Sequence, residues 1–394
     1  MKPYNSNILK ADKPPISEIL SWLEQINLSS KIPLLDVSQA APAKPPPLEM
    51  RSYLSKLILD DPTVHLYGPI LGLQRLRSVF AEHLNSFYET NLIDFDNIGI
   101  TSGCNQAFGA TIATLAKAGD EVIIPTPWYF NHKMWLDIFD IKAISLTSTE
   151  KLLPDVKLAQ KLITDKTKAI ILVSPNNPTG IEYPKKLIRD FYELCVKNEI
   201  QLIIDETYKD FNITNTAPHE LFSKIDWVKN YTLLYSFSKV FHLTGHRIGA
   251  VVTSKERLVE IEKYLDSSTI CPSQIGQRAA LYGLEKLKSW VAKQRDELLL
   301  TRKEIENRFK LLEPKGWKLA GLGAYFAYLE HPFNMNSKVL AKRLLENKSI
   351  LTVPGTLFFN KENIEGERFL RIAFANIDRK DIKILFERLQ SFTP

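Results

Sequence analysis

The chain is short of the features that mark several protein classes. It has three cysteines in 394 residues, Cys104, Cys195 and Cys271, far apart, odd in number and without a Cys-x-x-Cys pair. That argues against a disulfide framework and for a reducing compartment, which we expect to be the cytoplasm. No apolar run approaches the roughly 20 residues that span a bilayer, and Met1-Lys2-Pro3-Tyr4-Asn5 opens no apolar signal segment. A net charge of +6 is mild for this length, and no basic run of the kind that tracks nucleic acid is present. Internal repeats and low-complexity tracts are also missing. His242 and His246 stand four apart, but Gly245 falls between them and no Glu follows His242, so no metal site is expected.

What is present fits an enzyme with a large core, since 44% of the residues are hydrophobic and 24% charged. Pro15 to Ile26 carries Ile16, Ile19, Leu20, Leu23 and Ile26 at helical spacing. Pro42 to Pro47 reads as a stiff connector. From there to about Gly283, strand-like apolar runs alternate with helical faces such as Leu73, Leu76, Phe80, Leu84 and Phe87, or Leu187, Phe191, Leu194 and Cys195. This alternation predicts an α/β fold with a mainly parallel sheet, helices on both faces. Lys288 to Leu312 reads as a connecting helix. The remainder mixes strand-like runs (Ala324 to Leu329, Phe369 to Ala375) with helical ones, as a smaller α+β domain. The expected division is a large domain over 48–290 and a discontinuous small one, 1–47 with 291–394.

Four motifs follow apolar runs, where ligands of such sheets bind. After Leu233-Leu234-Tyr235 comes Ser236-Phe237-Ser238-Lys239, with Arg247 eight residues beyond the lysine. An amine there can form a Schiff base with an aldehyde cofactor, and the hydroxyls and guanidinium can hold a phosphate; pyridoxal phosphate has both groups. Alone, the segment also fits a strand-end turn with a solvated lysine. Asp205-Glu206-Thr207-Tyr208 ends Leu202-Ile203-Ile204. Its Asp205 can pair with a protonated pyridine nitrogen and Tyr208 with the ring's phenolic oxygen; an acidic turn with a packed tyrosine fits equally. Ser174-Pro175-Asn176-Asn177-Pro178-Thr179-Gly180 is an irregular turn in which Asn177 can reach the same oxygen. In Thr101-Ser102-Gly103-Cys104-Asn105, Gly103 lets the backbone approach a ligand, and the N–H groups of Cys104 and Asn105 would face an anion from a helix start.

In order and spacing these motifs resemble fold type I pyridoxal-phosphate enzymes, the class I/II aminotransferases of the aspartate-aminotransferase superfamily. The resemblance runs from about Pro33 to Thr393. It implies a large domain built on a seven-stranded sheet and a homodimer with sites at the interface, in which Tyr67 reaches the cofactor phosphate of the neighbouring subunit. It further implies Tyr129 (alternatively Trp128) stacked on the pyridine ring, Arg371 on the substrate α-carboxylate, and Ser267-Ser268-Thr269 near the partner's phosphate. Ala40 stands where such families usually carry a glycine, beside the substrate. The activity implied is transamination in amino-acid metabolism: an amino group moves from an L-amino acid to a 2-oxo acid by a ping-pong mechanism through Lys239, with Asp205 and Tyr208 assisting. A lyase breaking a carbon–sulfur bond, or a related elimination enzyme, would reuse the same residues. A transcription regulator is disfavoured, because the roughly forty residues before Pro42 are too few for a winged helix and not basic enough for DNA.

Overall fold

The computed structural model describes residues 4–26 and 32–394. Thirteen strands are present among them: β1 (Leu35–Asp36), β2 (Ile98–Thr101), β3 (Glu121–Thr126), β4 (Lys142–Thr147), β5 (Thr167–Val173), β6 (Gln201–Asp205), β7 (Tyr231–Ser236), β8 (Gly249–Val252), β9 (Lys318–Gly323), β10 (Phe326–Glu330), β11 (Ile350–Leu351), β12 (Val353–Pro354) and β13 (Phe369–Ala373).

Seven of them form one sheet in the order β2-β8-β7-β6-β5-β3-β4. Only β8 runs against its neighbours, β2 and β7; the remaining pairs are parallel. The central strands are apolar and buried throughout because both faces are covered, as parallel sheets require. Successive residues alternate between two cores. Leu202, Ile204, Leu233 and Tyr235 pack on one side with the helix Gln74–Tyr88. Ile203, Leu234 and Val251 pack on the other with the helices Cys104–Ala113 and Lys255–Thr269.

A second, antiparallel sheet has the order β12-β13-β10-β9. Its core joins both ends of the chain. Ile19 and Trp22 of the helix Pro15–Gln25 meet Leu340, Leu344, Leu385 and Phe386 of the helices Ser337–Lys348 and Arg379–Gln390. β1 pairs in parallel with β11, Leu35 opposite Ile350. The α/β architecture with a smaller second unit thus matches the sequence reading, with shifts at element ends. The connecting helix stops at Phe309, short of Leu312. The run from Phe369 leaves the sheet at Ala373 and turns through Phe374–Asn376. The helix expected after Gly103 begins at Cys104 and runs to Ala113. None of the helices among the described residues is long and apolar enough to cross a membrane.

Candidate functional site

A cavity of about 370 Å³ opens at the carboxyl ends of β5, β6 and β7. Those three strands end in Val173, Asp205 and Ser236, and all three residues line it. So do Asn177, Tyr208 and Lys239, supplied by the segments that follow.

Ser236 caps the four-residue helix Phe237–Val240, its hydroxyl accepting from the Ser238 N–H at 3.2 Å. The turn sets Lys239 toward the cavity, where its Nζ donates to the carbonyl of Ala40 at 2.6 Å. Burial first, and then the positive charges of Arg247 and Arg371, lower its ammonium from the ordinary lysine value to about 8. A useful fraction of this amine is therefore neutral near neutral pH.

Asp205 faces the cavity floor. The backbone N–H of Thr207 donates to its Oδ1 at 3.0 Å, and His132 Nε2 lies 3.4 Å from its Oδ2. Burial alone would raise its carboxyl; His132 and Thr207 outweigh burial and hold it below the usual carboxylate range. His132 is itself stacked on Phe108 at 4.2 Å, and the edge of Tyr129 meets it at 5.0 Å. Its pairing with Asp205 depends on a contact across 73 positions of sequence, which no local pattern announces. Tyr129 and not Trp128 lines the cavity; Trp128 is buried in the core beneath.

The neighbouring asparagines divide their work. Asn176 braces the turn, accepting from the Thr179 N–H at 3.2 Å and the Thr179 hydroxyl at 2.8 Å. Asn177 Oδ1 accepts from Arg371 Nη1 at 3.0 Å. Tyr208 packs against Tyr325 and Phe326, each at 5.2 Å, and burial drives its phenol well above the ordinary value, so it remains a donor.

Arg371 reaches the cavity from the smaller unit, on β13. It is 1% exposed, yet among the described residues no carboxylate lies within 4 Å of it. Its Nη2 donates to the Ser38 carbonyl, its Nε has no partner, and the rings of Phe326 and Phe358 sit 5.3 Å away on either count. Burial lowers it from the ordinary arginine value to about 10. A buried cation without an acid partner is costly and marks a place for an anion.

At the opposite end, Gly103 has φ +88°, and a Cβ there would run into the Arg247 guanidinium. Arg247 Nη1 donates to the Thr244 carbonyl at 2.9 Å. Cys104 and Asn105 begin a ten-residue helix at this point, and with Ser238 they line the same end of the cavity. Ser268 and Thr269 lie behind it and accept from Gln106 Nε2, whose Oε1 accepts from the Ser102 N–H at 2.7 Å. Ala40 lines the cavity as well. Of the residues singled out from sequence, Tyr67 stands apart: it is 80% exposed and outside this cavity. His242 Nδ1 pairs with the Lys44 carbonyl at 2.9 Å.

The family model for aminotransferase class I and II matches residues 24–389. The chain belongs to this family. Its relatives include the aromatic aminotransferase ISS1 of Arabidopsis thaliana, 26% identical over 97% of this chain and 94% of that protein. An aspartate aminotransferase of Pyrococcus abyssi is 30% identical over 85% of each. Among solved structures, the aromatic aminotransferase of Pyrococcus horikoshii superposes with a TM-score of 0.82 at 26% identity, covering 94% of this chain and 97% of that one. The family is one of fold type I pyridoxal-phosphate enzymes, and the seven-stranded sheet with its smaller second unit is the architecture of that superfamily.

Proposed function

We propose that the protein is a pyridoxal-phosphate-dependent aminotransferase acting on an L-amino acid and a 2-oxo acid. One observation carries the reading: the Lys239 amine, lowered to about 8, and the buried, acid-free guanidinium of Arg371 open into one cavity. The donor set fits the cofactor, because a phosphate suits the cradle at Gly103 and Arg247, where a side chain at position 103 would collide with the guanidinium. When bound, pyridoxal phosphate supplies an aldehyde that takes up amino groups and a pyridine ring that withdraws electrons from the bonds at the α-carbon.

The chain's residues then have separate tasks. Ser236, Ser238, Arg247 and the N–H groups of Cys104 and Asn105 hold the phosphate. Tyr129 lies against the ring. Asp205, kept ionised by His132 and Thr207, holds a proton on the ring nitrogen. Tyr208 and the Asn177 amide donate to the ring's oxygen. Arg371 takes the α-carboxylate of the donor, and the neutral Lys239 Nζ moves the proton from the donor's α-carbon. Tyr67, exposed on this subunit, serves the site of a second copy in a homodimer.

The test is the visible spectrum of the cofactor-loaded protein with amino acids added and no oxo acid. Loss of the visible band with one equivalent of 2-oxo acid released is the expected result. Pyruvate and ammonia accumulating while the band persists would indicate elimination instead. Lys239→Ala is expected to lower steady-state turnover by at least about 10³-fold; a variant that keeps its rate would remove Lys239 from the mechanism.

A further inference from the structure

The segment that follows β6 serves the cavity with some residues and the core with others. Asp205, Thr207 and Tyr208 line the cavity. Lys209, the next residue, goes the opposite way and is 0% exposed. It is sealed within one subunit, so a second copy does not reach it.

A fully buried ammonium is costly unless its partners are good. Lys209 Nζ donates to Asp210 Oδ1 at 3.0 Å. Two ring faces take its other flanks, Phe87 with its centroid at 4.2 Å and Tyr235 at 5.0 Å. The Tyr235 hydroxyl in turn donates to Asp210 Oδ2 at 2.6 Å. Burial would raise the Asp210 carboxyl; the Lys209 charge leads the opposing effects, which hold it below the usual carboxylate range. His83 adds no second charge near neutral pH, because burial first, and then Lys209, lower it to about 4.

The place of this group matters more than its strength. Phe87 belongs to the helix Gln74–Tyr88 and Tyr235 to β7. Ser236 and Lys239, which line the cavity, come directly after Tyr235. Lys209 and Asp210 come directly after Tyr208 and open the short turn Lys209–Phe211. The backbone braces that turn: the Lys209 N–H donates to the Glu206 carbonyl and the Phe211 N–H to the Tyr208 carbonyl, each at 3.0 Å. Beneath the sheet, Lys209, Asp210 and Tyr235 therefore join two segments. Above it, one of those segments carries Asp205 and Tyr208, and the other carries Ser236 and Lys239.

We propose that Lys209 is a positioning residue, which through Asp210 and Tyr235 fixes the Tyr208 phenol relative to Lys239. That role rests on the proposed function, in which Tyr208 donates to the ring's oxygen. The rings of Tyr325 and Phe326 hold the Tyr208 ring from the side. The Lys209 anchor fixes the backbone from which the ring projects. A displacement of about 1 Å at such a group can cost about 10²-fold in rate.

The test reads the Tyr208 donor by its effect on the cofactor's colour. A donor to the ring's oxygen favours the anionic form of that oxygen. Losing it raises the midpoint at which the visible band of the cofactor-loaded protein changes with pH. Tyr208→Phe sets the full upward shift. Lys209→Met keeps most of the stem and removes the charge. It is expected to raise the midpoint by about half a pH unit or more and to lower kcat by roughly tenfold or more. Tyr235→Phe keeps the ring and removes only the tie to Asp210. It is expected to move the midpoint the same way by less, and it decides the matter if Lys209→Met does not fold. A loss of stability alone in Lys209→Met, with the midpoint and kcat of the folded, loaded protein unchanged, overturns the proposal. So does a Tyr235→Phe protein with the original midpoint. If Tyr208→Phe itself leaves the midpoint in place, the part given to Tyr208 in the proposed function fails, and the role of Lys209 fails with it.

Discussion

Asp205 and Glu206 are adjacent carboxylates with opposite surroundings. The alternation of β6 turns Asp205 toward the cavity and Glu206 toward the core beneath the sheet. Both are paired with a histidine. His219 Nε2 lies 2.7 Å from Glu206 Oε1, while its Nδ1 accepts from the Leu221 N–H at 3.2 Å, so the proton sits on Nε2 and points at Glu206. Tyr88 donates to the other carboxylate oxygen, and the Tyr231 hydroxyl lies 2.9 Å from His219 Nε2. Burial raises both phenols far above their ordinary values, which keeps them donors. Glu206 is 0% exposed; its pairing is closed on every side. Asp205 has the same kind of partner but keeps an open flank. A buried carboxylate becomes a functional group when one of its hydrogen-bonding directions is left for something else.

The comparison can be broken by exchanging the consequences. Asp205→Asn is expected to reduce kcat by roughly 10²-fold or more, through loss of the charge that the proposed function sets against the ring nitrogen, with the melting temperature of the cofactor-free protein little changed. Steady-state kinetics and a thermal scan measure both. Glu206→Gln should do the reverse. Gln presents an N–H₂ to two donors, Tyr88 and His219, and leaves at least one buried donor unsatisfied. That costs about 1–3 kcal/mol in denaturant unfolding, while kcat of the folded fraction stays within about twofold of the original. A variant of Glu206 that folds normally but loses turnover would abolish the distinction.

The smallest expected effect sharpens the cavity side alone. Burial and the neighbouring arginines lower the Lys239 ammonium to about 8, and in the proposed function its neutral form takes the donor's proton. With pH rising from 7 to 8 the neutral fraction grows about fivefold and less than twofold more beyond that, so kcat, which reports the complex in which the donor has freed the Lys239 amine, should rise by that order and level off above about pH 9. A flat profile over this range would show that Lys239 does not limit the rate.

Much of this site is legible in the sequence because each principal group stands just past an apolar run. Lys239 and Asn177 follow β7 and β5, Asp205 ends β6, and Arg371 interrupts the apolar β13 with a charge that strand packing does not call for. Local pattern carries these positions, since strand ends and turn residues are local properties. The pairings that complete them are not local. His132 meets Asp205, the Ala40 carbonyl takes the Lys239 amine, and Ile16 lines the cavity, each across a separation fixed only by tertiary packing. Glu206 shows the converse limit. It sits inside one of the four motifs, directly after Asp205, and nothing in the string says that it faces away.

β1 has a consequence for synthesis. The seven-stranded sheet is complete once Val252 has been made, whereas Leu35 and Asp36 must wait for Ile350 and Leu351 before they have a partner strand. Domains begin to fold as the chain emerges, from the N-terminal side first. The segment that holds β1 and the apolar stripe of Ile19 and Trp22 is therefore made long before the partners that cover it. The cavity lining at Ile16 and the Ala40 carbonyl belong to that same late-docking segment, so the nascent chain can assemble the strand-end side of the cavity before the side that this segment closes.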